Sequence, residues 1–176
     1  MTFTFTEPQM GYPNIASIIS CVTTTLLNGQ AFPVGKIVRG TDPSLGGGEF
    51  ILLPGVASNL VGSIVTYNQS ANTVTLAPSS GTYQSTPVAV SMAANTSTSA
   101  LSWYQIQGAA AVAKTTIKFN PNVAVYISGT AGKITSTLLT GGQIYGARTI
   151  NAATVASATT TVLVEINRPH LQGSKT

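Results

Sequence analysis

The run VYISGTAGKIT at residues 125–135 joins an apolar stretch to a glycine-rich turn that ends in a lysine. A nucleotide-binding phosphate loop has that order, because its backbone N–H groups, a lysine and a hydroxyl must converge on phosphates and magnesium. The spacing argues otherwise. Gly129 stands three positions before Gly132, and Ile134 follows Lys133 where the metal-binding hydroxyl belongs. The continuation ITSTLLTGGQ is also a poor opening for the helix whose N-terminus would face the anion. The expectation is a β-hairpin with a lysine at its turn. LGGGEF at 45–50 lacks the G-x-G-x-x-G dinucleotide fingerprint and leads into a strand, so its glycines serve a turn or a close approach.

Acid–base chemistry would have to draw on four acids, Glu7, Asp42, Glu49 and Glu165, and on one histidine, His170. Asp42 opens an Asp-Pro turn, Glu165 falls on the polar side of an alternating strand, and Glu7 lies near the N-terminus. The one cysteine, Cys21, is far in sequence from His170, so no local nucleophile–base pair is legible and no internal disulfide can form. One histidine and one cysteine fall short of the four or so ligands of a zinc site. This inventory argues against an enzyme and calls for no cofactor or metal.

The elements around these residues read as β. From about residue 30, short apolar runs (GKIVRG, EFILLPG, GSIVTYN, NTVTLAP, PVAVSM, WYQIQG, NVAVYISG, TTVLVEIN) are separated by Gly, Pro, Asn and Ser. Val162, Val164 and Ile166 alternate with Leu163, Glu165 and Asn167, and Tyr104 and Ile106 alternate with Gln105 and Gln107. About ten strands at this spacing imply an all-β, antiparallel sandwich or small barrel. Residues 15–27 carry both a helical and a β pattern, and their β-branched content favours extended or irregular structure. The organisation expected is an N-terminal arm at 1–29, a β domain at 30–173 and a tail at 174–176. Phe3, Phe5, Met10 and Tyr12 give the arm apolar side chains that need something to pack on, and they are the candidate interaction residues. Val65 and Val125, Tyr67 and Ile127, Val74 and Ile134, Tyr104 and Val164, and Ile106 and Ile166 are each sixty apart, the pattern of an internal duplication. Chance alignment of two Val/Thr-rich segments would give it too.

Only 7% of residues are charged, against roughly 25% in an average soluble protein, so the surface must be built from hydroxyls and amides or be covered in an assembly. The net charge of +4 comes from eight scattered basic residues and few acids, without the basic stripe of a nucleic-acid binder. Mean hydropathy is +0.29, yet no apolar run reaches the ~18 residues of a membrane helix. MTFTFTEP has neither the basic nor the apolar region of a signal peptide, so synthesis in a cytoplasm is expected. The sequons at Asn68 and Asn95 carry meaning only with secretion.

Three phrases, GEFILLPGVASNLVGSIVTYN, TPVAVSMAANTSTSALSWYQIQGAAAV and GARTINAATVASATTTVLVEINRPHLQG, together resemble the head decoration (capsid cement) proteins of tailed bacteriophages. The resemblance spans residues 30–173 and leaves the arm unmatched. It implies a structural virion protein on the outer capsid surface. Its partners would be the major capsid protein and further copies of itself, trimers being favoured, with no nucleic acid or membrane. The alternative reading is a glycan-binding virion or surface appendage, for which Trp103, Tyr104 or Tyr126 would be stacking platforms. Core packing is the commoner role of a tryptophan at such a strand start.

Overall fold

The computed structural model describes residues 3–6, 14–19, 34–71, 73–79 and 83–173. All twelve of its regular elements are strands: β1 (Thr4–Phe5), β2 (Ile18–Ile19), β3 (Ile37–Asp42), β4 (Gly46–Pro54), β5 (Ile64–Asn68), β6 (Thr73–Leu76), β7 (Val88–Ser91), β8 (Leu101–Ala113), β9 (Ala124–Ile127), β10 (Ile134–Thr135), β11 (Gln143–Thr149) and β12 (Thr161–Leu171). They form one antiparallel sheet that does not close, in the order β1-β3-β4-β8-β12-β11-β9-β10, with β2 and β7 joined to β8 and the pair β5–β6 joined to β7. The barrel alternative is thereby excluded.

Pairing registers reveal two copies of one unit. Tyr67 pairs with Val74, and sixty residues on Ile127 pairs with Ile134. Ile64 pairs with Val90 as Ala124 pairs with Arg148, and Val90 pairs with Gln105 as Arg148 pairs with Glu165. The long strands repeat as well: Leu52 with Trp103 becomes Ala111 with Leu163. Thus β4 to β8 is one unit and β8 to β12 the next, with β8 shared. The spacing is sixty for β5, β6 and β8, but 59 from β4 to β8 (Leu52 to Ala111) and 58 from β7 to β11 (Val90 to Arg148), offsets invisible to a fixed-period comparison. Turn chemistry repeats too. The Asn68 side-chain oxygen accepts from Ser70 N, and the Ser128 hydroxyl accepts from Thr130 N, each at 3.1 Å.

Cores follow from this repetition. In the first unit Ile51, Leu53, Val65, Tyr104 and Ile106 cluster. Their counterparts Ala110, Val112, Val125, Val164 and Ile166 share a cluster with Ile64, Val88 and Val90, which lie on the reverse face of the first unit's strands. The first unit therefore covers the second unit's core with its back. A third cluster gathers Phe50, Leu52, Leu101 and Trp103 under Phe3, Ile15 and Ile19.

The described residues of the arm, 3–6 and 14–19, pack against the β domain. Phe3 is 3% exposed and meets the Phe50 ring edge-on at 4.9 Å, and Phe5 meets Trp103 at 5.7 Å. β1 pairs with β3 and β2 with β8. Phe3 and Phe5 thus pack on apolar side chains of their own chain. Met10, Tyr12, Glu7 and Cys21 lie outside the described residues. The segment at 15–27 begins with a turn and enters β2, as extended structure, and its remainder is outside the description.

Candidate functional site

The hairpin expectation for VYISGTAGKIT holds: β9 and β10 pair directly, and the Lys133 carbonyl accepts from Ser128 N to close the turn. Gly46 takes a positive φ of 79° beside the Asp42 turn, where the Asp42 carboxylate accepts from Ser44 N and Leu45 N. Trp103 is fully buried in β8, so it is a core residue and not a stacking platform. Tyr104 is buried as well, its hydroxyl donating to Pro54 O at 3.0 Å.

Charged side chains gather where β4, β8 and β12 meet. Glu49 pairs with Arg39 at 3.2 Å and with Arg168 at 2.7 Å, and Glu165 pairs with Arg148 at 2.6 Å. Of the 12 charged residues in the chain (8 + 4), five converge on these bridges. The position follows from strand geometry. β4 and β12 both reach Gln107 of β8, and Gly108 beside it takes a φ of 101° that bends the strand. A Cβ at Gly108 would lie 2.4 Å from Gly47 O, so only glycine allows β4 and β8 to approach this closely. Two hollows flank the ion pairs. One of about 570 Å³ is lined by Thr41, Gly48, Glu49, Gln107 and Glu165. The other, about 310 Å³, lies between Ile51, Tyr67, Ile106 and the end of β12.

Each of the three described acids has a structural partner. Asp42 caps its own turn, while Glu49 and Glu165 are each neutralised by arginine. His170 is exposed on β12 with its ring 5.6 Å from that of Tyr145. Among the described residues, no group of three His, Cys, Asp or Glu side chains could hold a metal ion. No helix among them is long and apolar enough to cross a membrane.

Four buried polar side chains were not legible as such in the sequence. Asn59, fully buried, donates through Nδ2 to Ser91 Oγ at 2.8 Å and to the carbonyls of Ala93 and Asn95 at 3.3 Å. Asn95, read first as a sequon, is 1% exposed and donates to Ala100 O and Ser102 Oγ. Burial raises the Tyr104 phenol above its ordinary pKa, against the hydrogen bonds from Ser102 and Ser91. In the second unit Lys114 is 2% exposed, and its Nζ donates to the carbonyls of Thr115, Ile117 and Ser157. Burial pulls its pKa below the usual lysine value. Gln105, expected on a polar face, is fully buried and donates to Gln107 O and Ala109 O across the Gly108 bend. These groups tie loops to strands and present no reactive atom to solvent.

Comparison of the chain with protein-family models, with curated proteins and with solved structures finds no match.

Proposed function

We propose that this protein is a structural component of a phage virion that binds the outer surface of the capsid and stabilises the lattice of its major capsid protein. The phrases that carry the resemblance to decoration proteins coincide with the repeated framework: EFILLPG in β4, PVAVS entering β7, WYQIQG in β8 up to its bend, and VLVEIN in β12. The observation that supports a docking role most directly is a sheet face that the described residues leave partly open. In the first unit the reverse face of the long strands lies under the arm; in the second unit the equivalent face shows Ala111, Ala113 and Leu163 partly exposed, with Thr161 exposed beside them. A face built largely of small side chains can approach another protein closely, and its hydroxyls and apolar groups cost little to desolvate compared with charges.

Lattice stabilisation would then follow from mass action. A protein that binds only the assembled, expanded shell lowers the free energy of that state in proportion to RT ln(1 + [L]/Kd). The test is the thermal disruption of expanded, protein-free shells, followed by light scattering with and without this protein. The expected result is a rise in disruption temperature that saturates with added protein and is lost in Ala111→Arg, whose charge falls on the partly open face. A disruption temperature unmoved by saturating wild-type protein would refute the reading.

A further inference from the structure

We propose that the hollow between β4, β5, β8 and the end of β12 is a binding site for a carboxylate-bearing saccharide, with Arg168 as its anchor. The backbone provides the first argument. Arg168 has a φ of 44°, in the left-handed region that favours glycine, and its counterpart sixty residues earlier is Gly108 at 101°. A long side chain held in a glycine conformation costs stability that its exposed ion pair with Glu49 does little more than offset, so the guanidinium brings its chemistry here with no net gain in folding. Electrostatics provides the second. Arg39 and Arg168 share the single carboxylate of Glu49, which leaves a net positive charge on the cluster. The Arg168 side chain remains 62% exposed, with N–H donors still open to solvent.

The hollow has an apolar floor of Ile51 and Ile106 and a polar rim that includes Tyr67, Gln69 and His170. The charge of Arg168 acts on the half-buried Tyr67 phenol, opposing the upward push of burial, so the two groups share one field. Each part of the site answers to a part of the ligand. A carboxylate suits a guanidinium through paired, charge-assisted bonds. Sugar hydroxyls suit the Gln69 amide and the Tyr67 hydroxyl. The C–H face of a pyranose suits the apolar floor. A neutral sugar would forgo the first match, and an inorganic anion the other two. The inference is independent of capsid binding.

The test is a titration of the full-length protein with sialyllactose, glucuronic acid, lactose and sodium sulfate, followed by amide ¹⁵N–¹H correlation spectra. Saturable shifts centred on Tyr67, Gln69, Arg168 and His170 are expected with at least one of the two acidic sugars. Lactose and sulfate should bind about tenfold more weakly or not at all. Arg168→Gly should abolish the shifts, and Tyr67→Phe, which removes a single hydroxyl, should weaken binding roughly three- to tenfold. Three results would overturn the proposal: no saturation with either acidic sugar, equal binding of lactose or sulfate, or acidic-sugar binding that survives both substitutions in folded protein.

Discussion

The two units share one backbone plan and differ in what lies over the reverse face of their long strands. In the first, Phe50, Leu52, Leu101 and Trp103 occupy that face, and Phe3, Ile15 and Ile19 cover it. The same positions in the second unit are Ala109, Ala111, Thr161 and Leu163, and the last three are at least partly exposed. Side-chain size has followed cover. Four large apolar groups left open on a sheet would form the kind of patch that drives aggregation, whereas alanine and threonine in the same places do not. The described arm residues thus cover the first unit's face, while the matching face of the second stays partly exposed.

The comparison is tested most severely by exchanging residues between units. Gly108→Arg copies the second unit into the first, but its Cβ would sit 2.4 Å from Gly47 O. A loss on the order of 4 kcal/mol or more is expected, seen as failure to fold or a collapsed denaturant midpoint. The next effect is Trp103→Ala, at about 3–5 kcal/mol by urea unfolding, against about 1 kcal/mol for Leu163→Ala at the matching site. Equal losses at the two sites would mean that the faces are not differently covered. Phe3→Ala should cost about 3 kcal/mol, since its ring is buried against Phe50. A stability unchanged by that substitution would return the arm to the status of a free appendage. The smallest effect is the reverse exchange, Arg168→Gly. Relief of the left-handed backbone and loss of an exposed ion pair should nearly cancel, leaving a change within about 1 kcal/mol.

Much of this was readable beforehand, and for physical reasons. Strands announce themselves by alternation, so the inward set Val162, Val164 and Ile166 matches its burial. The turn residues fixed the hairpins, and the sixty-residue spacing noted between Tyr67 and Ile127 or Tyr104 and Val164 relates equivalent pairings of the two units. Pattern failed where a tertiary contact overrode local chemistry. Gln105 has the polarity of an outward residue but is buried because the bend at Gly108 turns two carbonyls towards it. Asn59 and Asn95 look like loop residues, yet they bridge a buried gap, while their counterparts Phe119 and Val155 meet through backbone bonds. Lys114 was one of eight scattered bases until the loop at Ser157 supplied a carbonyl to its ammonium group. The ion pair between Glu49 and Arg168 joins residues 119 apart in sequence, beyond the reach of any local motif.

The central claim, that this β framework exists to hold a shell together, is tested most directly by cosedimentation with expanded phage shells. Increasing amounts of full-length protein would be spun with a fixed amount of shell, and bound protein counted against major capsid protein. The account expects saturation at a fixed simple ratio, with Ala111→Arg left in the supernatant. Binding that never saturates, or wild-type protein that stays in the supernatant at every concentration, would contradict it.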